Sequence, residues 1–127
     1  MQNDQENSLI VFTQNKGTYN KVWKWKAKTL WEFSKRFEIQ DLAVEGFFDE
    51  LNKDRWFNNS HTPTVINIAR HLTRVLNADL RFPIIVYKNK IILDGTHRLV
   101  KAILIGETTI HAIVLLELPE SDPDVMI

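Results

Sequence analysis

An apolar run that stops at an acidic residue and a glycine is the feature that most constrains this chain. Residues 91–93 are Ile-Ile-Leu, Asp94-Gly95 follows, and apolar residues then recur at helical spacing until Gly106. Continuous apolar runs are typical of buried strands, and a spacing of three to four residues is typical of helices. The sequence therefore predicts a strand that turns directly into a helix over about 96–105, which Gly106 ends.

Polar groups concentrate at this junction. A helix N-terminus carries backbone N–H groups without intrahelical partners and the positive end of the helix dipole, which suits an anion. Gly95 lets the backbone approach a ligand, and the Arg98 guanidinium matches the geometry of phosphate. Asp94 is suited to orienting a hydroxyl or holding Mg²⁺, and His97 is expected to titrate near neutral pH. We expect a phosphate or nucleotide site here.

A purely structural interpretation of the same residues stays open at this point. Asp94 or Thr96 would cap the helix, Arg98 would pair with a carboxylate, and His97 would form a hydrogen bond in the core. Because four polar groups converge on one helix start, the functional interpretation is favoured.

The most regular helical pattern lies upstream of the junction. Thr62 is the expected N-cap and Pro63 the first helical residue. Apolar residues then recur at helical spacing and are expected to face the core, while polar residues take the outward side. The apolar set is Val65, Ile68, Ala69, Leu72, Val75 and Leu76, and the outward set is Asn67, Arg70, His71, Thr73 and Arg74.

Two groups of cations raise the question of nucleic-acid binding. Residues 21–26 alternate as a half-buried strand, with lysines assigned to one face and tryptophans to the other. Lys21, Lys24 and Lys26, together with Arg70 and Arg74, are the residues that such binding would use. The formal net charge of zero argues against it, because phosphate neutralisation supplies much of that affinity. The favoured interpretation is a buried tryptophan face beneath solvated lysines.

The remaining patterns complete a single α+β domain over residues 1–127, with a small mixed sheet and helices packed on it. Residues 1–7 are expected to be disordered, and 117–127 form an acidic tail. Thr29 and Glu32 predict a capped helix over about 30–37. Residues 84–93 predict a hairpin with its turn at 88–90, and residues 109–115 a further strand. Residues 54–63 predict a polar loop in which Trp56 and Phe57 either line a pocket or anchor the loop to the core.

Composition excludes several classes of site. The sequence contains no cysteine, which excludes disulfides, zinc–thiolate sites and cysteine catalysis. The first residues are polar and show no signal peptide, and no apolar run approaches the roughly 20 residues of a membrane span. A cytoplasmic location is the expectation.

From about residue 56 to 114 the chain resembles the ParB/sulfiredoxin superfamily. The resemblance rests on Pro83-Ile84-Ile85-Val86, on Ile91 to Leu99 with its Asp94-Gly95-Thr96-His97-Arg98 junction, on Lys101-Ala102 and Gly106-Glu107, and on the strand from Ile110 to Val114. The superfamily shares an apolar hairpin, a junction of the D-G-x-H-R or G-x-R-R form, a helix, a glycine and a strand. The similar segment covers a little under half of the chain.

This resemblance implies a ParB/sulfiredoxin-like fold and a nucleotide (ATP, ADP or CTP) whose phosphates lie against Gly95, Thr96, His97 and Arg98. The Asp-Gly-x-His form is similar to the branch that phosphorylates free serine, which implies catalytic roles for Asp94 and His97. Sulfiredoxin chemistry requires a cysteine that this chain lacks. Partition ParB proteins carry DNA-binding and dimerisation domains for which 127 residues leave no room.

Two functional hypotheses follow. The first is a small nucleotide-dependent phosphotransferase or nucleotide hydrolase, in which Asp94 orients a hydroxyl-bearing acceptor or Mg²⁺ and His97 assists proton transfer. The second is a non-catalytic ParB-like module that binds DNA or a protein. The oligomeric state stays open, and exposed apolar residues in the N-terminal arm are compatible with a dimer.

Overall fold

A computed structural model describes residues 6–53, 56, 63–88 and 91–123 of the chain. Its elements follow the order of the predicted ones. They are β1 (Leu9–Asn15), β2 (Asn20–Lys26), α1 (Ala27–Ser34), β3 (Ile39–Ala43), a 3₁₀ turn (Val44–Phe47), α2 (Phe48–Leu51), α3 (Val65–Asn77), β4 (Ile84–Tyr87), β5 (Ile91–Asp94), α4 (Thr96–Leu104) and β6 (Thr109–Leu115).

A four-stranded mixed sheet forms the centre, in the order β3-β6-β4-β5. Strands β4 and β6 are parallel, and the other two pairs are antiparallel. The chain that connects β4 to its parallel neighbour β6 contains β5 and α4. The predicted hairpin and the junction helix therefore belong to this connection. The coarse prediction of an α+β fold with a small mixed sheet is confirmed.

The core lies on both faces of this sheet, and strand β4 shows the division. Ile84 and Val86 belong to the cluster that contains Leu99 of α4. Ile85 belongs to the other cluster, with Trp25 of β2 and Leu30 of α1. A strand whose successive residues are all apolar is typical of a sheet that is covered on both faces.

The β1–β2 hairpin and α1 cover the second face. Trp23 and Trp25 are buried as predicted, but Lys21 does not share the lysine face, since its Nζ lies 4.8 Å above the centre of the Trp23 ring. The predicted cap of α1 is wrong. The helix starts at Ala27, and the Thr29 hydroxyl donates to the Asp122 carboxylate instead of capping a helix end.

The predicted acidic tail binds across this hairpin. The Asp122 carboxylate accepts from the Lys26 N–H at 2.8 Å, and the Asp122 N–H donates to the Lys24 carbonyl at 2.9 Å. The Trp25 indole N–H donates to the carbonyls of Pro119 and Glu120, both at 3.1 Å. The tail therefore completes the environment of a fully buried tryptophan. At the other terminus the Glu6 carbonyl accepts from the Lys28 N–H, and residues 1–5 lie outside the described chain.

Helix α3 begins two residues later than predicted, and its orientation also differs from the prediction. Its N-cap is Thr64, whose hydroxyl accepts from the Asn67 N–H, so the predictions of Thr62 as N-cap and Pro63 as first helical residue are wrong. Thr62 itself lies outside the described residues. Most of the apolar set expected in the core is exposed, and among the helix residues Val75 is buried. His71, assigned to the outward side, faces α4. The helix is thus rotated so that the side carrying His71 and Val75 faces the protein.

The helices of the described chain include none that is both long enough and apolar enough to cross a membrane.

Candidate functional site

Gly95 joins β5 to α4 in a conformation that favours glycine. Its φ is +111°, and it occupies the N-cap position of α4. A Cβ on this residue would lie 2.5 Å from Ile84 Cγ2 and 3.0 Å from Arg98 Nη2. The backbone therefore lies directly against strand β4 on one side and the arginine on the other, with no room for a side chain.

Arg98 is a buried cation beside the first turn of α4. It is 5% exposed, and its Nη2 lies 3.4 Å from Asp94 Oδ2, near the limit of a hydrogen bond. Its Nε has no hydrogen-bond partner in the described chain. Part of the structural interpretation is thus confirmed, since Arg98 does face a carboxylate. That carboxylate does not provide acceptors for all the hydrogen-bond donors of the guanidinium, since Nε lacks one.

Asp94 is fixed by a residue that the sequence reasoning missed. The Trp31 indole N–H of α1 donates to Asp94 Oδ2 at 2.8 Å. Because Gly95 holds the N-cap position, neither Asp94 nor Thr96 caps the helix, and the capping alternative is wrong. No local pattern around Trp31 relates it to a carboxylate 63 residues later.

His97 pairs with a second histidine on α3. The His97 Nε2 and His71 Nδ1 atoms are 2.9 Å apart, so one imidazole donates a hydrogen bond to the other. The Trp56 ring lies parallel to both imidazoles, with ring centres 4.5 Å from His71 and 5.2 Å from His97. This histidine pair was not predicted, because its two members come from different elements. Of the predicted loop at 54–63, Trp56 and Pro63 belong to the described residues.

The expectation that His97 titrates near neutral pH is wrong. Burial lowers the pKa of His97 to about 4 by disfavouring the imidazolium. Nearby His71, Arg74 and Arg98 lower this pKa further, while the Asp94 carboxylate opposes the shift. His97 is therefore neutral at pH 7, where it can accept or donate a hydrogen bond.

This shift predicts a stability that falls in mild acid. The unfolded chain protonates His97 near pH 6.5, whereas the folded chain resists protonation down to about pH 4. The unfolded state thus binds more protons in this window, so this residue's contribution to stability decreases as the pH falls. Between pH 7.5 and pH 5 the loss is about 1 kcal/mol, since solvent reaches this partly exposed ring and weakens the full effect of the pKa shift.

Urea unfolding of wild type and His97→Gln at both pH values measures this contribution. The variant should lose about 1 kcal/mol less than wild type on acidification, since glutamine does not titrate. Equal losses in the two proteins would contradict the burial of a neutral His97.

The predicted site residues therefore form two adjoining groups. Asp94, Gly95 and Arg98 meet with Trp31 on the side of the sheet edge, and His97 meets His71 and Trp56 beside α3. Thr96 begins α4 as its first helical residue. The described residues contain no cluster of three or more histidine or acidic side chains arranged to hold a metal ion.

A groove of about 300 Å³ lies away from these residues, at the β3–β6 edge. His111 Nδ1 and Asp41 Oδ1 are 2.6 Å apart across the two strands, and both side chains are largely exposed. The groove is lined by Asp41, Leu80, Arg81, Glu107, Thr109, Ile110 and His111. His111 is thus a surface residue of its strand.

Comparison of the chain with known proteins gave no match to a family model, a curated protein or a solved structure.

Proposed function

We propose that the first turn of α4 binds a phosphate group of a nucleotide, in a domain of the ParB/sulfiredoxin type. The observation that carries this proposal is the Arg98 guanidinium, 5% exposed and with Nε lacking a partner in the described chain, beside the N-terminal turn of a helix. Buried charged groups are costly unless they are fully hydrogen-bonded. An oxyanion at this turn would supply the acceptor that Arg98 lacks.

The surrounding backbone supports the same ligand. The first N–H groups of α4 have no intrahelical acceptors, and the helix dipole places partial positive charge there. Gly95 holds the N-cap position at a φ of +111°, and its lack of a side chain leaves room for the Arg98 guanidinium beside the first turn of the helix. The Trp56 indole Nε1 is a second buried donor without a partner in the described chain, and its ring lies against His97. Unsatisfied donors rather than acceptors surround the junction, which favours an anionic ligand.

Asp94 and His97 are the residues proposed to act on the nucleotide. The Trp31 indole fixes Asp94 Oδ2, which leaves the other carboxylate oxygen to orient a hydroxyl group or to contact Mg²⁺. Mg²⁺ is commonly held by one or two carboxylates together with phosphate oxygens, so a single aspartate fits that ion. A neutral His97 is able to accept a proton, with His71 as its hydrogen-bonded neighbour. These roles describe a small phosphotransferase or nucleotide hydrolase.

A non-catalytic binding module is the second candidate. Asp94 Oδ2 already faces two donors, from Trp31 and Arg98, and His97 is engaged by His71. If both proposed catalytic groups serve only these structural contacts, the site would bind a nucleotide, DNA or a protein partner without catalysing a reaction.

A thermal-shift titration with ATP, ADP and CTP, each with and without Mg²⁺, tests the binding step. A ligand that binds only the folded state at a hundred times its Kd stabilises it by about 2.7 kcal/mol, which corresponds to a rise in Tm of several degrees. We expect this rise for wild type and for Lys16→Ala, which removes a cation from the β1–β2 turn. We expect its loss in Arg98→Lys, which keeps the charge but not the guanidinium geometry.

A rise that persists in Arg98→Lys and in Arg98→Ala would place the nucleotide elsewhere, and no rise with any nucleotide would contradict the proposed function. Turnover separates the two candidates. Asp94→Asn should keep the thermal shift and lose phosphate transfer or release if the protein is an enzyme. Binding without turnover in wild type supports the module.

A further inference from the structure

Helix α3 presents an apolar surface to solvent. Val65, Ile68, Leu72 and Leu76 are 86, 40, 45 and 72% exposed, and these four residues are called the α3 stripe. Successive helical residues are rotated by about 100°, which places all four within one third of the helix circumference. In the part of the chain that the structure describes, this stripe stays open to solvent, although its pattern is that of a core helix.

Charge limits what can cover this stripe. The two arginines of α3 are Arg70 and Arg74, and the helical rotation puts both on the side opposite the stripe. The helix carries no aspartate or glutamate. A neutral apolar stripe offers nothing to the phosphates of a nucleic acid or of an anionic membrane surface. It equally offers no repulsion to a second copy of itself.

The spacing of the stripe is self-complementary. Its residues are separated by three, four and four positions, which is the pattern of helices that pack with interdigitating side chains. In an antiparallel pair related by a two-fold axis, Val65 of one copy faces Leu76 of the other, and Ile68 faces Leu72. We propose that the α3 stripe is the contact between two copies of this chain.

The area required by a stable dimer extends this contact beyond α3. A stable interface buries about 800 Å² on each partner, and a helix about 20 Å long does not supply that area alone. The proposed contact therefore includes the exposed C-terminal end of α4, which adjoins the stripe. Lys101 Nζ donates to the carbonyls of Leu76 and Ala78, so the face of α4 that carries Lys101 adjoins the end of the stripe. The exposed Leu104 and Ile105 follow on that face one turn later.

Sedimentation equilibrium of the full chain tests the dimer. We expect wild type to be dimeric at about 100 µM, as a contact of micromolar affinity requires. Leu72→Glu places two negative charges, one from each copy, about one helical turn apart across the two-fold axis. This variant should be monomeric with an unchanged circular dichroism spectrum. Val11→Glu introduces the same charge at an exposed apolar position of β1 and should stay dimeric. A monomeric wild type, or a dimeric Leu72→Glu, would overturn the proposal.

Disulfide cross-linking tests the arrangement, because the chain has no cysteine of its own. The expected pairing puts the two-fold axis close to residue 70, so Ala69→Cys should form a covalent dimer on mild oxidation. In Val65→Cys the two cysteines of a dimer would lie about 16 Å apart along the helices, too far for a disulfide. This variant should run as a monomer in non-reducing denaturing electrophoresis. Cross-linking of Val65→Cys in place of Ala69→Cys would refute the antiparallel contact.

Discussion

Gly95→Ala is expected to lower the free energy of unfolding by about 3 kcal/mol or more. Two costs combine at this position. A φ of +111° is strained for a residue with a side chain, at about 1–3 kcal/mol. The new methyl group would also lie 2.5 Å from Ile84 Cγ2 and 2.8 Å from Ile84 Cβ, and overpacking of this kind costs about 1–3 kcal/mol. Strand β4 is buried and central, so it has little freedom to move away.

Urea denaturation measures this effect, and the chain provides matched controls. Gly106→Ala meets the strained φ of +83° with nothing within 4 Å of the new Cβ, so it should show the backbone cost alone. Gly46→Ala meets neither cost and should be close to neutral. Ile84→Ala combined with Gly95→Ala should cost less than the two single changes together, because the first removes Cγ2, the closer of the two clashing atoms. Strict additivity would contradict the steric account.

The second large effect is expected for Asp94→Ala, at about 3 kcal/mol. This change leaves the buried Arg98 guanidinium without its nearby carboxylate, and removing one partner of a buried pair is strongly destabilising. It also leaves the Trp31 indole N–H without its acceptor. Trp31→Phe removes that hydrogen bond and keeps the charge pair, so we expect a smaller loss of about 1 kcal/mol.

Chemical denaturation of Asp94→Ala with and without inorganic phosphate checks both the pair and the site. Phosphate should stabilise this variant more than wild type, because an anion then has no competing carboxylate beside Arg98. The exposed ion pair between Asp79 and Arg81 provides the control, since Asp79→Ala breaks a pair at the surface, where such pairs contribute little. A loss for Asp94→Ala as small as that for Asp79→Ala would show that Arg98 does not depend on Asp94.

Local patterns predicted most of the fold because they depend on neighbouring residues. The alternation in β2, the apolar run of β4 and the change of period at Gly95 each describe one element, and each element is present. The junction was predicted as a unit for the same reason, since Asp94, Gly95 and Arg98 lie within five successive residues of the chain.

Tertiary contacts explain what the sequence did not predict. The period of α3 showed correctly that one of its sides is apolar, but a period does not identify which side another element covers. His71 faces inward because His97 lies opposite, and the apolar side is left to solvent. Trp31 and His71 approach the junction from 63 and 26 residues away, and no local pattern carries that information.

The docked C-terminal segment has a consequence for how this domain is assembled. The β1–β2 hairpin and α1 lie near the start of the sequence. The hydrogen-bond partners of Trp25 and Thr29 lie about 95 residues later, at residues 119–122. The first third of the domain therefore cannot reach its final packing on a ribosome until nearly the whole domain has emerged. Contacts of such long sequence separation slow folding and join both ends into one cooperative unit. For the same reason the β1–β2 hairpin is not a module that can be exchanged or deleted independently of the tail.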